Sequence, residues 1–136
     1  LLQAYRLEMG TKLTNSKGAD LYTYWGQTLA KHIRAELSEH AHKVLINLAS
    51  DEYFKVLPLK TLEVPVVAPV FKDLSKGNYK IISFFAKRAR GTMARFIVQH
   101  KINTPEGLKQ FAEDGYYFVG EATAKNGVHQ LIFHRD

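Results

Sequence analysis

No cysteine occurs in these 136 residues, which excludes disulfides, thiolate catalysis and every zinc or iron–sulfur site built on cysteine. Long apolar runs are also missing. None approaches the ~20 residues that span a bilayer, and Pro65 and Pro69 interrupt the longest candidate, so no membrane association is expected. No signal peptide is visible, and a cytoplasmic setting is the expectation. There is no Gly-x-Ser-x-Gly and no P-loop to mark a nucleophile or a nucleotide cradle. Six histidines are present, but none falls in a His-Glu-x-x-His pattern: His40 and His42 stand two apart, and His129 and His134 five apart. His32 and Glu36, one helical turn apart, read as a surface pair. Neither a metal site nor a cofactor is expected.

Acid is nearly absent from one stretch. Between Lys72 and Lys101 eight basic residues face the single acid Asp73, a net of +7, whereas the whole chain carries +6. A chain that is balanced elsewhere and basic in one place suits an anionic partner, and nucleic acid is the commonest way of presenting many phosphates. The hydrophobic share of 46% and aromatic share of 12% are those of a packed globular protein. The length fits a single domain over residues 1–136. Because the chain opens on Leu1, already in sheet-like sequence, a fragment of a larger protein is expected.

Local signals give an α+β reading. Leu1 to Leu7 reads as extended and Asn15 to Gly18 as a turn. Asp20 is placed to cap a helix running to about Ser38, whose Leu21, Trp25, Leu29, Ile33 and Leu37 form an apolar stripe. Val44 to Leu48 reads as a short buried strand, and Ser50 as a cap with Asp51 and Glu52 in the first helical turn. Val64 to Phe71 is β-rich with two prolines, which predicts an edge strand. Lys76-Gly77-Asn78 predicts a hairpin into a strand from Tyr79 to Phe85, with a helix from Lys87 or Gly91 to His100. Thr104-Pro105-Glu106 starts a second helix, with Thr104 as cap, ended by Gly115. Tyr116 to Val119 and Val128 to His134 are two further strands joined at Asn126-Gly127. The sum is a mixed sheet of short strands and hairpins packed with helices.

Within the basic stretch, Ala89, Met93, Phe96, Ile97 and His100 share one helical face, and Arg88, Thr92, Arg95 and Gln99 the other. Lys87, Arg88 and Arg90 are read at the helix start, where each unneutralised cation costs about 0.3–1 kcal/mol and a docked anion reverses the sign. Gly91 would let such a ligand approach the backbone. With the helix at Thr104 this forms a helix-hairpin-helix-like element, a device that grips phosphates without reading bases. The plainer reading is a solvated basic surface. A second candidate joins Arg6, Asn47, Asp51 and Lys55 in a pocket for a small phosphorylated or carboxylated ligand; for Asp51 the plainer reading is a helix cap. The tyrosines and Trp25 read as core and rim aromatics.

Tyr5-Arg6-Leu7-Glu8-Met9-Gly10, Asp20-Leu21-Tyr22 with Trp25-Gly26, Ile46 to Lys55, and Ile82-Ser83-Phe84 with Ala86-Lys87-Arg88-Ala89-Arg90-Gly91 closely resemble the YaaA family of bacterial peroxide-stress proteins. The likeness runs end to end in consistent order. Members are roughly twice this length, so the chain resembles their C-terminal half, and their N-terminal Ser-Pro-Ala-Lys segment has no counterpart here. The resemblance implies a cytoplasmic protein that limits iron-driven oxidative damage when hydrogen peroxide rises. It also implies a positive cleft, a helix-hairpin-helix element and binding to double-stranded DNA. The leading expectation is a non-enzymatic DNA-binding protein, with Lys87, Arg88, Arg90, Gly91 and Arg95 at the phosphates and the absent N-terminal half as a further partner. An enzyme or binding protein for a small anionic metabolite is the alternative, and iron handling a third.

Overall fold

The computed structural model describes residues 21–38 and 44–136, and the chain divides into two compact units. The described part of the first comprises residues 21–38 and 49–64, and the second comprises Val44–Leu48 and Pro65–Asp136. In the first unit, helix α1 spans Leu21–Leu37, ending where the Ser38 amide donates to the Arg34 carbonyl at 3.0 Å. Its expected cap, Asp20, lies outside the described residues. The buried line is Gly26 and Ala30, while Leu29 of the expected stripe is 37% exposed. Size explains the shift. A Cβ on Gly26 would stand 2.6 Å from the Val56 carbonyl oxygen and 3.3 Å from Pro58 Cδ, so the helix presents its smallest residues where the chain passes closest. The side chains of Leu21 and Trp25 lie outside the described set, and Ile33 and Leu37 are half-buried.

Two one-turn helices complete this unit, α2 at Asp51–Phe54 and α3 at Leu59–Leu62. Ser50 occupies the cap position of α2, but through its backbone alone: its carbonyl accepts from Tyr53 and Phe54 at 3.1 and 2.9 Å, and its hydroxyl makes no capping bond.

The second unit is built on a five-stranded mixed sheet. Its strands are β1 (Leu45–Ile46), β2 (Val66–Ser75), β3 (Asn78–Lys80), β4 (Tyr117–Thr123) and β5 (His129–Arg135). The order is β1-β2-β5-β4, with β3 paired to the far end of β2. β2 runs parallel to β1 and β5, whereas β3 on β2 and β4 on β5 are antiparallel. With helix α4 at Ser83–Gln99 and the one-turn α5 at Pro105–Leu108, the architecture is the expected α+β, a mixed sheet packed against helices.

The strand expected at an edge is central. Backbone parity explains how β2 tolerates Pro69. Asn47 donates to the Val67 carbonyl, so Val67 faces β1, and two residues on Pro69 faces the same side. There β1 has ended and β3 begins only opposite Asp73. The missing N–H therefore falls in a gap and costs no ladder bond. The two-residue turn Lys76-Gly77 has φ of 51° and 81°, the conformation whose twist matches a hairpin. The strand after it stops at Lys80, five residues earlier than expected. Phe84 and Phe85 belong to α4, which begins at Ser83, about one turn before Lys87, and is buried along a stripe of Ala86, Ala89, Met93 and Phe96.

Thr104 caps α5 as expected, its hydroxyl accepting from the Gly107 amide at 3.3 Å, with Pro105 at the first helical position. The helix ends at Leu108 rather than at Gly115, which instead turns with Asp114 (φ 84° and 57°) into β4. Asn126-Gly127 turns β4 into β5, and the Asn126 side chain accepts from the Val128 amide at 3.1 Å. The core gathers Phe71, Met93, Phe96, Phe111, Tyr116, Leu131 and Phe133. Phe71 stacks on Phe133 at 5.2 Å and meets Tyr116 edge-on at 5.1 Å.

At the end of this core sits one buried carboxylate, Asp73, 6% exposed. Arg135, opposite it in the sheet register, donates from Nε to one oxygen, and the Tyr116 hydroxyl donates to the other at 2.7 Å. Burial, and then the bond to Asp73, push the Tyr116 pKa above the usual phenol value. A raised folded-state pKa gives stability that is complete below the unfolded value, about 10, and that is lost as pH rises beyond it. Tyr116→Phe, which leaves one Asp73 oxygen without its donor, is expected to lower unfolding free energy in urea by about 1–3 kcal/mol at neutral pH. The gap to wild type should narrow above about pH 10. A gap constant with pH would show that the hydroxyl is not held in its neutral form by the fold.

Candidate functional site

Helix α4 sorts its residues by rotation. At about 100° per residue, Ala86, Ala89, Met93 and Phe96 point into the core. The opposite crest is Phe84, Gly91 and Val98, spaced by seven, with Lys87 on one flank and Arg88 and Arg95 on the other. Lys87, Arg88, Gly91 and Arg95 are all exposed, so the structure brings these four of the five expected residues onto one face. Arg90 stands about 100° from Gly91 and is half-buried; it does not share the crest. Thr92, expected on the solvent-facing side with Arg88, is half-buried and donates its hydroxyl to the Arg88 carbonyl at 3.1 Å.

The basic residues are not at the helix start. Because α4 begins at Ser83, Lys87 and Arg88 lie in its second turn, and any ligand they hold lies along the side of the helix. The helix carries four cations and no acid. Only Arg88 has a carboxylate near it among the described residues: its Nε is 3.6 Å from Asp114 Oδ2, an oxygen that also lies 3.5 Å from Arg135 NH1. Lys87, Arg90 and Arg95 make no ion pair within the described residues. Beyond the helix, Lys76, Lys80 and Lys101 are exposed and Lys72 is half-buried.

The connection from α4 to α5, residues 100–104, contains no glycine, and Lys101 there takes the left-handed conformation at φ 51°. Gly91, the one glycine available to the expected helix-hairpin-helix element, lies in mid-helix. His100, expected to pack inward, is exposed, with its ring 4.6 Å from Phe96.

The residues of the second candidate fall in separate parts of the chain. Arg6 lies outside the described residues, Asn47 follows β1 in the second unit, and Asp51 and Lys55 are exposed on and after α2 in the first. Of the histidines, His129 pairs with Glu121 at 3.0 Å, which Lys109 also reaches at 3.0 Å. The bond from His129 and then that from Lys109 hold the Glu121 carboxyl below its ordinary range. His40 and His42 lie outside the described residues. No described helix is long and apolar enough to cross a membrane.

Charge density in the sequence located the basic residues of this face. It missed the apolar side chains that share the face. Phe84 is 71% exposed and Val98 77%; Phe84 was hidden because Phe84-Phe85 reads as strand. Asp114 was missed because nothing local ties it to Arg88.

The family model described as "Peroxide stress protein YaaA" matches residues 1–122. Among curated proteins, the chain is 53% identical over 137 residues to a "UPF0246 protein" of Aliivibrio fischeri (strain ATCC 700601 / ES114), an alignment that covers 100% of this chain and 51% of the relative. A "UPF0246 protein" of Polynucleobacter asymbioticus is 56% identical over 123 residues, covering 90% and 48%. Another, from Psychromonas ingrahamii, is 47% identical over 136 residues, covering 100% and 52%. The chain thus spans about half the length of the curated relatives it matches.

Gly91 is the least expected residue on α4. Glycine in a helix interior costs about 0.5–1 kcal/mol relative to alanine, and a Cβ built there would meet nothing within 4 Å. Packing within the described chain therefore does not call for it. Gly91→Ala is expected to raise unfolding free energy by about 0.5–1 kcal/mol in urea denaturation. A loss of stability would mean that the position is held open by a constraint inside the fold.

Proposed function

The chain belongs to the YaaA family of peroxide stress proteins, and we propose that the exposed face of α4 binds the phosphate backbone of double-stranded DNA with little regard to base sequence. This contact serves resistance to hydrogen peroxide, where iron-driven oxidation of DNA is the damage to be limited. The observation that carries the reading is the arrangement of Lys87, Arg88 and Arg95 around Gly91 on one acid-free helical face. From Lys87 to Arg95 the helix rises about 12 Å, the length of roughly three to four base pairs along a duplex. Cations so spaced meet successive phosphates, and the missing side chain at Gly91 allows the helix to lie close. Phosphate contacts position a protein on DNA without specifying sequence.

The reading makes the salt dependence of binding a count of contacts. With Lys87, Arg88 and Arg95 each neutralising one phosphate, log affinity should fall against log salt with a slope of about −2.7, from ~0.9 per contact. A fourfold rise in salt then weakens binding about 40-fold. Arg95→Ala should flatten the slope by about 0.9 and weaken matched and scrambled duplexes alike. Arg90→Ala, off the crest, should do less, and Arg34→Ala on α1 should do little. Gly91→Ala should weaken duplex binding although it stabilises the fold. Asp114→Asn, which keeps a residue type tolerant of φ 57° but removes the carboxylate beside Arg88, should tighten binding. A salt-independent affinity, or an Arg95→Ala effect confined to one base sequence, would return this face to a solvated surface.

A further inference from the structure

At the far end of β2, two tyrosines reach toward each other across the sheet and meet hydroxyl to hydroxyl. Tyr79 comes from β3 and Tyr117 from β4, with β2 and β5 between them. Those strands run roughly 14 Å apart, yet the two phenol oxygens stand 3.5 Å apart. Both hydroxyls donate to one atom, Asp136 Oδ1, that of Tyr117 at 3.0 Å. His134 of β5 lies against both rings: Tyr79 stacks on its imidazole at 3.9 Å, and Tyr117 meets it edge-on at 6.4 Å. The bond from Tyr79 and then that from Tyr117 hold the Asp136 carboxyl below its ordinary range, so it stands ionised as a proton acceptor. Tyr79 and Tyr117 are also the exposed tyrosines among those whose side chains are described, since Tyr116 is buried and Tyr53 half-buried. The chain has no cysteine, and Met93, the methionine among the described residues, is fully buried. The sulfur atoms that would otherwise take up oxidation are therefore missing or shielded in this unit.

The geometry points to Tyr79 and Tyr117 as an oxidation site, at which two one-electron oxidants of the hydroxyl-radical class join the rings into a dityrosine cross-link. Hydroxyl radical is what ferrous iron makes from hydrogen peroxide. Each radical takes one electron from one phenol and becomes hydroxide. Each phenol, made strongly acidic by that loss, releases its proton through Asp136 Oδ1, and proton and hydroxide form water. The two phenoxyl radicals then form one carbon–carbon bond between the positions ortho to their oxygens. Each ortho hydrogen moves to the oxygen of its own ring, which restores two phenols. The product is the original pair less two hydrogen atoms, and two waters are formed. Holding the reacting ends together makes a bimolecular coupling effectively unimolecular. The ortho carbons flank the hydroxyls, and exposed side chains rotate on the picosecond to nanosecond scale, so rotation alone brings them into contact. The link joins residues 38 apart in sequence and ties β3 to β4 across β2 and β5. It does not depend on the reading of α4.

The test exposes the 136-residue chain, kept dilute, to ferrous iron and hydrogen peroxide. Dityrosine is read by its fluorescence, its position by mass spectrometry of a tryptic digest, and the number of chains by denaturing gel. Wild type should give a single chain carrying dityrosine, lighter by two hydrogens, with Tyr79 and Tyr117 as the linked residues. Tyr79→Phe and Tyr117→Phe should each abolish that product. Asp136→Asn, which keeps the size of the side chain and removes the proton acceptor, should lower its yield severalfold. Both tyrosines are exposed, so the phenylalanine variants are tolerable to the fold, which circular dichroism checks. Dityrosine found only in covalent dimers, or retained in Tyr79→Phe, would overturn the inference. So would single hydroxylation of these rings with no cross-link, or a yield unchanged in Asp136→Asn.

Discussion

The Asp73 carboxylate is the group on which the second unit turns. Moving a charge from water into a protein interior costs several kcal/mol, so Asp73 is tolerable only where its oxygens are met. Arg135 meets one and Tyr116 the other. The arginine is itself held between two rings, 4.5 Å from the Tyr116 centroid and 4.8 Å from Phe85. Arg135 shows the balance of terms. Burial works to lower its pKa, while the bond to Asp73 and the neighbouring Tyr116, Asp73 and Asp114 raise it, and the net direction is up. A buried pair of this kind adds little net stability, yet removing one partner costs about 3–5 kcal/mol. Its effect is to fix geometry: β2 and β5 cannot slip relative to one another without leaving an unpaired charge in the core.

That fixed geometry extends to the candidate site. Arg135 also donates to the Asp114 carbonyl at 3.3 Å, which helps to hold the 114–115 turn in its left-handed conformation. The Asp114 carboxylate from that turn reaches Arg88 on α4. One chain of contacts thus runs from the buried end of the sheet to the basic face. Along it, α4 is set in rotation by Ala86, Ala89, Met93 and Phe96 on the core side, and the cations and Gly91 can only face outward. Asp114 also partly neutralises Arg88, whereas Lys87 and Arg95 make no ion pair among the described residues.

What the sequence made legible was what depends on neighbours in sequence. Gly77 and Gly127 turn the chain because glycine takes the required positive φ at no steric cost, and Thr104 with Pro105 starts α5 through a local hydrogen bond. Strand β2 was seen but misplaced at an edge, because whether Pro69 harms a sheet depends on which neighbour its nitrogen faces, a fact of pairing. On α1 only Leu29 of the expected stripe's described members is exposed, and Gly26 and Ala30 are buried because smallness, which hydrophobicity does not count, lets the chain pass close. The start of α4 was missed because Phe84 and Phe85 have strand propensity that the tertiary stripe from Ala86 overrides. The Asp73–Arg135 pair joins residues 62 apart in sequence, and no local signal announces it. The site was legible to the same degree. Charge density located Lys87, Arg88 and Arg95, but only the helix phase separates Arg90 from them.

Several departures from local preference meet on α4. Glycine occupies mid-helix with open space where a Cβ would sit. Lys87, Arg88 and Arg95 share the exposed face of α4 with no acid on the helix to offset them. Phe84 and Val98 are exposed at the two ends of the same crest. Each departure taken alone is tolerable, and a surface helix can carry any one of them without consequence. On α4 they share one face. Sequences consistent at most positions concentrate their exceptions where function opposes stability. The anion proposed above for this face would offset its cations and use the open space at Gly91.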